Sequence, residues 1–365
     1  MRVALAVSLL VVVPVAAIAP QGAPYTLEGR ATMLPADSGV RIASGRARLS
    51  GPAFRDGTIE FDMTLAEGRA FSYVEFRTGA DGEGEEVYFR NHKSGLPDAI
   101  QYAPVNQRQS AWQLFHGAGG TASVPLSIGR PMHVRLEVRG SQAVLFLDRQ
   151  ANPVLVMRRL GRSPRSGGIS LRGFVPQGSP ATHAATFSNV VVTPEQTSFR
   201  FDTLAPPADS VGNAVRDWEL SAPFLAPAAH VTSLPTPAGT TTRVRARASG
   251  LLMLDEHVAR PQGTTRPTVV ASFQLNATRP TRQRIDFGFS DAATIFVNGE
   301  PIASVDASYS YDLPRQEGLI GPDQLVSYVP LRAGTNVVSV VVGDVFGGWG
   351  VQARLDLRPG VLLAR

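Results

Sequence analysis

The stretch FSYVEFRTGADGEGEEVYFRNH, residues 71–92, decides the fold. Apolar and polar side chains alternate in its two runs, 71–78 and 85–91, and a glycine-rich segment separates them. Alternation with a period of two is typical of a strand that buries one face. The stretch therefore predicts two neighbouring strands, each with an apolar face and a polar face.

Runs of the same kind recur along the chain, bounded by Gly, Pro, Asn and Asp. In the first half the predicted strands are 57–65, 71–78, 85–91, 99–105, 112–117, 133–140, 142–148, 168–174 and 185–193. In the second half they are a strand with Trp218 and the runs 240–246, 268–277, 282–290, 293–299, 324–331, 336–344 and 350–358. This pattern predicts an all-β protein made of two β-sandwich (jelly-roll) domains.

A chain of 365 residues exceeds one ordinary core, which favours two domains. From about residue 196 to residue 250 the composition shifts to Pro, Ala, Thr and Ser. We predict a first sandwich over 20–195, a linker over 196–215 and a second sandwich over 216–365.

The N-terminus has the pattern of a secretory signal peptide, which we place at residues 1–19. Arg2 precedes an apolar run that ends in small residues, and cleavage after Ala17 is favoured over cleavage after Ala19 because Pro20 follows the latter. An uncleaved N-terminal anchor is the alternative, although the run is short for a membrane span. The chain has no cysteine, which excludes disulfides and thiolate metal sites. Together these features predict a bacterial protein of the periplasm or the extracellular space.

The formal charge of +5 does not indicate a nucleic-acid partner. Among 35 basic residues Lys93 is the single lysine, and the arginines are scattered without a basic run interleaved with aromatics. The six histidines show no pair at ligand spacing, so we predict no zinc site and no cofactor. Asp291 and Asp344 are predicted to cap turns, with a structural Ca²⁺ as the alternative.

The first domain resembles the concanavalin A-like lectin/glucanase superfamily, of the LamG-like kind. The residues that carry this resemblance are FRDGTIEFDM (54–63), FSYVEFRTG (71–79), VRLEVRGSQAVLFLD (134–148) and GGISLRGF (167–174). The second domain, with FGFSDAATIFVNGEPI (287–302) and VPLRAGTNVVSVVVGDVFGGWG (329–350), resembles galactose-binding-domain-like β-sandwiches. Both resemblances imply glycans, and the first implies that they lie on the concave sheet. Asn298 and Gly299 also form a type I′ turn pair on physical grounds.

The polar faces of the two opening strands merge into one patch if the strands pair. Such a mixture of aromatic, planar and charged groups suits sugar rings and their hydroxyls. The candidate ligand-binding residues are Tyr73, Glu75, Arg77, Glu86, Tyr88, Arg90 and His92, with Gln101 or Tyr102 on the next strand and Trp112 at the border. The alternative is a solvated face of cross-strand Glu–Arg pairs, each worth about 0.2–1 kcal/mol.

Whether the protein is an enzyme stays open at this point. The glucanase pattern E-x-D-x-x-E begins at Glu60 and Asp62, but Leu65 stands where its second Glu is expected. Glu75 and Glu86 are an alternative carboxylate pair for a hydrolase. Arg90, Gln101, Tyr88 and His92 supply the residue types of a jelly-roll polysaccharide lyase. The predicted function is an exported protein that binds a polysaccharide, with a glycan-active enzyme or a non-catalytic surface module as alternatives.

Overall fold

The structure is a computed structural model that describes residues 25–205, 212–226, 229–263, 266–311 and 317–364. It is 51% strand and 5% helix, and its antiparallel sheets curl into sandwiches, so the predicted all-β jelly-roll class is confirmed. The predicted signal peptide, residues 1–19, lies outside the described residues. No helix of the described residues has the length and apolar character needed to cross a bilayer.

The first part of the chain forms one sheet of thirteen strands. Its strands are β1 (Tyr25–Met33), β2 (Gly39–Leu49), β3 (Gly57–Thr64), β4 (Phe71–Thr78), β5 (Gly84–Arg90), β6 (Ile100–Asn106), β7 (Gln109–Ser110), β8 (Thr121–Ala122), β9 (Met132–Arg139), β10 (Gln142–Leu147), β11 (Leu155–Met157), β12 (Gly168–Phe174) and β13 (Ala185–Pro194). Short 3-10 turns cover Pro35–Asp37, Asn91–Lys93 and Ala181–His183.

This sheet folds over to enclose a single core. The strand order is β11-β10-β9-β3-β13-β2-β12-β4-β5-β6-β7, with β1 beside β2 and β8 beside β6. The N-terminal half of β2 pairs with β13 and its C-terminal half with β12, so β2 joins the two layers. Phe61 of β3 and Phe89 of β5 belong to the same buried cluster, although they come from opposite layers. The outer face of the layer β12-β4-β5-β6 is left for polar residues.

The second part of the chain forms two sheets around another core. Its strands are β14 (Asp217–Leu220), β15 (Phe224–Ala226), β16 (Thr242–Arg245), β17 (Leu252–Met253), β18 (Arg266–Ala277), β19 (Thr281–Ser290), β20 (Ala292–Val297), β21 (Glu300–Asp306), β22 (Leu325–Leu331), β23 (Gly334–Gly343), β24 (Gly350–Leu355) and β25 (Val361–Leu363). Phe201–Thr203 and Leu254–Glu256 are 3-10 turns.

One of these sheets has the order β16-β14-β18-β23-β20-β21, and the other has β17-β24-β19-β22. Trp218 on β14 and Trp349 before β24 are both buried between them. Asn298 and Gly299, with φ of 52° and 86°, link β20 to β21 as the predicted tight turn requires.

The segment Gln107–Gly117 connects the two parts rather than forming the strand predicted at 112–117. That prediction is wrong because the segment turns repeatedly and two of its glutamine side chains donate hydrogen bonds to the second part of the chain. Gln113 donates to Asp291 at 2.7 Å, and the Gln107 amide donates to the carbonyl of Asp255 at 2.8 Å. A small apolar cluster of Ala111, Leu114, Leu251, Met253 and Ile320 fills the interface.

The residues directly after β13 pack on the first sheet. The Phe199 amide and the Ser198 hydroxyl donate to the buried carboxylate of Glu137 at 2.7 and 2.6 Å. Phe201 is buried beside Phe146 of β10. The start of the predicted linker, residues 196–215, is therefore anchored on the outer face of β9 and β10.

The second core depends on aromatic residues of β19. We expect Phe287→Ala to lower the free energy of unfolding by about 3–5 kcal/mol, because Phe287 is fully buried and truncation leaves a cavity. Urea denaturation measures this loss. Tyr328→Ala on the neighbouring strand β22 is the control, since Tyr328 is exposed and its loss costs under about 1 kcal/mol. Equal losses for the two variants would contradict the position of the core.

Candidate functional site

The polar face of β4, β5 and β6 forms the floor of a cavity of about 1090 Å³. In register, Tyr73 lies opposite Tyr88 and Glu75 opposite Glu86, and Gln101 of β6 lies opposite Tyr88. Residues in register across a sheet point to the same side, so the three strands present one continuous polar surface. The apolar residues between them face the core.

Eight of the ten predicted site residues line this cavity: Tyr73, Glu75, Glu86, Tyr88, Arg90, His92, Gln101 and Trp112. The structure brings them together because five of them share the outer face of adjacent strands, while the others lie at the strand ends or on the loop that follows. Their role in binding a ligand stays a prediction.

Arg77 does not share this face, and the prediction that it does is wrong. Its backbone adopts φ of 55°, which breaks the alternation of side chains near the end of β4. The buried guanidinium instead donates to the carbonyl oxygens of Arg55 and Gly140, each at 2.7 Å, and to Asp56 at 2.8 Å. Arg77 thus ties the end of β4 to neighbouring loops.

Tyr102 also lies outside the cavity, because the alternation on β6 that turns Gln101 outward turns Tyr102 into the core. Its hydroxyl donates to Glu85 at 2.5 Å and accepts a hydrogen bond from the Gly161 amide. Burial raises the pKa of Glu85 to about 8. Tyr102 therefore belongs to a buried network beneath the sheet.

Two arginines hold the buried carboxylates of the cavity floor. Arg46 of β2 binds Glu75 through two hydrogen bonds of 2.7 and 2.9 Å. Arg172 of β12 donates to Glu75 at 2.6 Å and to Glu86 at 2.7 Å, and so bridges the two carboxylates. Sequence reasoning missed both arginines, although each stands at an outward position of a strand with alternating residues. We call these four residues the arginine–glutamate floor.

The two carboxylates of this floor act as structural anchors between strands. Burial raises the pKa of Glu86, and the charge of Arg172 opposes that rise. Glu86 also accepts a hydrogen bond from the Ser110 hydroxyl at 2.5 Å. Glu75 thus accepts three hydrogen bonds from arginines, and Glu86 accepts two, so both carboxylates are engaged within the protein.

Aromatic rings stack directly on the floor. The Arg172 guanidinium lies 3.4 Å from the centroid of the Tyr73 ring, and the Tyr73 ring lies 5.0 Å from that of Tyr88. Burial raises the pKa of Tyr73 to about 12. Such stacking fixes the rings, while burial keeps both phenols neutral at ordinary pH.

Arg90 organises the next section of the cavity. Its Nη2 donates to the Tyr88 hydroxyl at 2.8 Å and to Oε1 of Gln101 at 2.7 Å, while Tyr88 itself donates to that oxygen at 2.7 Å. Its Nη1 pairs with Asp98. The Gln101 amide then donates to the carbonyl oxygen of Trp112 at 2.7 Å, which fixes the backbone at the cavity border.

The rim of the cavity includes residues of the second part of the chain. Trp112 lies edge-on to Tyr309 at 5.7 Å between ring centroids, and Phe346 lies 6.1 Å from each of them. Phe346 is 53% exposed, and Trp112 and Tyr309 are half-buried. No sequence signal places Tyr309 or Phe346 here, because the packing of the two parts against each other brings them to Trp112.

His92 lies at the end of β5, with its ring edge-on to Phe71 at 5.2 Å. Partial burial, followed by the cations Arg69, Arg90 and Lys93, lowers the pKa of His92 to about 4. The imidazole is therefore neutral at pH 7.

The other sequence candidates lie away from the cavity or inside the fold. Glu60 and Asp62 of β3 contact His133, with Asp62 at 2.8 Å. Asp291 accepts hydrogen bonds from the amides of residues 345 and 346 and caps that turn, as predicted. Asp344 forms an ion pair with Arg260. Within the described part of the chain, no group of three or more His, Cys, Asp or Glu is arranged to hold a metal ion.

Comparisons with known proteins find likeness at the level of solved structures. No family model matches the sequence, and no curated protein matches it. The carbohydrate binding module CBM66 from Bacillus subtilis has 17% identity and a TM-score of 0.35, and the match covers 46% of this chain and 93% of that chain. Bacillus licheniformis beta-glucanase has 13% identity and a TM-score of 0.31, over 42% of this chain and 72% of that chain.

A family 35 carbohydrate binding module from an environmental isolate has 20% identity and a TM-score of 0.19, with 28% of this chain and 80% of that chain covered. These neighbours are carbohydrate-binding and glucanase β-sandwiches. Their likeness covers less than half of the chain in each case and carries no argument about its function. The order of a LamG-like domain before a galactose-binding-like one stays a prediction.

Removal of Arg172 tests the floor. We expect Arg172→Leu to lower the free energy of unfolding at pH 7 by about 3–5 kcal/mol, because Glu86 is left buried without its cationic partner. Loss of that cation raises the pKa of Glu86 further. The deficit should therefore shrink as the pH falls and the carboxyl protonates in the folded state. Denaturant unfolding at several pH values measures both effects.

The matched control is Arg245→Leu, which breaks an exposed ion pair with Asp217. Such a pair is worth about 0–1 kcal/mol. If Arg172→Leu cost no more than this control, the floor would not be a stabilising anchor.

The position of His92 predicts an unusual titration. NMR of the imidazole signals should give a pKa near 4 for His92, well below the ordinary value of about 6.5. Lys93→Gln should raise that pKa, since Lys93 is one of the cations that lower it. A titration of His92 near pH 6.5 would contradict the partly buried, cationic surroundings described above.

Proposed function

We propose that the protein is an exported carbohydrate-binding protein that holds a polysaccharide in the cavity between its two parts. The observation that carries this proposal is the combination of the ordered Arg90–Tyr88–Gln101 network with the aromatic rim of Trp112 and Phe346. Export is inferred from the apolar run in residues 1–19.

The chemistry of the wall fits sugar rings. A pyranose has apolar C–H faces and a girdle of hydroxyl groups, so it needs flat apolar surfaces and planar donors and acceptors in one place. Trp112, Tyr309 and Phe346 supply the surfaces at the rim. The Arg90–Tyr88–Gln101 network, whose hydrogen bonds are already made within the protein, holds the wall beneath these surfaces in one shape.

The size of the cavity fits a chain of sugars rather than a single one. Its volume of about 1090 Å³ is slightly above the range for small-molecule sites, about 300–1,000 Å³. The lining residues run along the whole of β5 and continue onto the loops at both of its ends. Such a trough can accept several consecutive sugar units.

The internal bonding of the site favours binding over turnover. A hydrolase needs a free acid and a free base or nucleophile, whereas Glu75 accepts three hydrogen bonds from Arg46 and Arg172, and Glu86 accepts one from Arg172 and one from Ser110. A lyase needs a mobile proton on Tyr88 or His92. The Tyr88 hydroxyl is already both donor and acceptor, and burial raises its pKa well above the usual value.

Trp112→Ala is the first test of this proposal. We expect the variant to lose about tenfold or more of its affinity for the polysaccharide that the unmodified protein binds, because a stacking surface at the rim is removed. Affinity electrophoresis or calorimetry against a panel of neutral and acidic polysaccharides measures the change. Mass spectrometry of the same mixtures should show no released oligosaccharide.

Tyr328→Ala serves as the matched control, since it removes an exposed aromatic ring from β22, outside the cavity. Its affinity should stay within about twofold of the unmodified protein. Released oligosaccharides would instead establish an enzyme, and an unsaturated end would identify a lyase. A protein that binds nothing in the panel and tolerates Trp112→Ala would favour a structural surface module.

A further inference from the structure

The cavity wall carries more positive than negative charge. Among its described lining residues are seven cations, Arg46, Arg48, Arg69, Arg90, Lys93, Arg108 and Arg172, and five carboxylates, Glu75, Glu83, Glu86, Asp98 and Glu317. Positive charge on the wall is available to a ligand only where a cation has no carboxylate beside it. The ion-pair partner of each charged residue is therefore what matters.

The carboxylates of the wall are all engaged. The arginine–glutamate floor uses two of them. Asp98 pairs with Arg90 and, at 2.5 Å, with Lys93, while Glu317 lies 3.7 Å from Lys93. Glu83 pairs with an arginine that does not line the cavity, Arg162. No carboxylate of the described wall is left over for the remaining cations.

Arg69 is a cation of the wall that has no ion pair with any of these carboxylates. Among the described residues no carboxylate lies within ion-pair distance of it. Its guanidinium stacks 4.0 Å from the Tyr311 ring and 5.9 Å from the Phe71 ring. Its Nη2 donates a long hydrogen bond of 3.3 Å to the Tyr309 hydroxyl, and its buried Nε has no hydrogen-bond partner in the described part of the chain.

The surroundings of Arg69 are electropositive. The neighbouring His92 has a lowered pKa because of its partial burial and then because of Arg69, Arg90 and Lys93. Arg69 is also held by rings from both parts of the chain, since Phe71 begins β4 while Tyr309 and Tyr311 follow β21. This end of the cavity is therefore a cationic pocket with aromatic walls.

The cationic pocket lies at one end of the trough only. Phe71 pairs with Arg90, the last residue of β5, so Arg69 is next to that end. Arg108, the other wall cation without an ion pair among the described residues, packs against Gly82 just before β5 begins. Seven residues of strand separate the two places, which is about 20 Å. The two arginines therefore meet different parts of a bound chain.

We propose that the polysaccharide is anionic and that its carboxylate or sulfate group lies against Arg69, between the rings of Phe71, Tyr309 and Tyr311. This inference rests on the proposed function and adds the class of sugar that the cavity selects. A guanidinium withdrawn from water without an anion is costly, and an acidic sugar supplies the missing acceptor. A neutral sugar leaves that cost in place.

The test compares each acidic polysaccharide with a neutral form of the same backbone. Alginate and its propylene-glycol ester, and dextran sulfate and dextran, separate carboxylate from sulfate. We expect one acidic form to bind at least about tenfold more tightly than its neutral partner, as for a hydrogen bond to a charged group. The preference should weaken as NaCl rises, because salt screens the charge.

Arg69→Gln should abolish this preference by weakening the acidic form about tenfold and leaving the neutral form within about twofold. Arg282→Gln is the matched control, since it removes one positive charge from an exposed position of β19. If Arg69→Gln does not fold, as judged by its thermal melt, Arg69→Lys keeps the charge but alters the stacking. The comparison of paired polysaccharides needs no variant.

A second readout follows His92 directly. An anion beside Arg69 should raise the pKa of His92 from about 4, and NMR titration with the acidic polysaccharide should show this shift. The neutral form should leave the titration unchanged.

Three outcomes test the anionic ligand, the cationic pocket and the proposed function separately. Equal binding of acidic and neutral forms would refute the anionic ligand and leave the carbohydrate-binding proposal standing. Equal losses in Arg69→Gln and Arg282→Gln would show a general charge effect and would refute the pocket. Binding to no polysaccharide would count against the proposed function itself.

Discussion

The bridge that Arg172 makes between Glu75 and Glu86 is the constraint on which the site depends. Two carboxylates side by side on adjacent strands, both nearly inaccessible to water, repel each other and lose hydration unless a cation lies between them. Arg172 supplies that cation from β12, and its guanidinium lies on the Tyr73 ring as it does so. The bridge therefore ties three strands into one register and fixes the first aromatic ring of the cavity. On a sheet face that opens to a cavity, this bridge acts together with the small cluster of Tyr73, Tyr88 and Ala103 to hold the strands in place.

The segment Gln107–Gly117 links the fixed side chains of the sheet to the aromatic rim through hydrogen bonds. Gln101 receives the hydrogen bonds of Arg90 and Tyr88 on its oxygen and passes its own donors to the backbone at Trp112. One residue later, Gln113 donates to Asp291, which also caps the turn that presents Phe346. The position of the rim aromatics is thus coupled to the polar floor through a short series of side-chain amides and a carboxylate. The two parts of the chain meet at the site itself.

Alternation predicted most of what local sequence can determine. The strands β4 and β12 begin and end where the pattern places them, and the outward positions of β4, β5 and β6 supply five of the predicted site residues. The prediction failed at Arg77 because a positive φ near the end of β4 turns the side chain away, and no residue there announces it. It failed at 112–117 because the apolar residues of that run are buried against another part of the chain instead of within a sheet. Tyr309 and Phe346 were out of reach for the same reason, since contacts between distant loops leave no local period.

The groups of the cavity differ in whether they already have hydrogen-bond partners within the protein. A group whose hydrogen-bonding capacity is filled by the protein contributes shape and rigidity, and it gains little from a ligand. The arginine–glutamate floor and Tyr88 are of this kind, since Glu75, Glu86 and Tyr88 have partners for their charge or hydroxyl. The groups left open lie around the rim, where the aromatic faces lack a cover and Arg69 lacks an anion among the described residues. Recognition then falls to the rim and precision of placement to the floor. For the polysaccharide proposed above, a rigid floor lowers the conformational entropy lost on binding, which favours affinity from weak contacts at the rim.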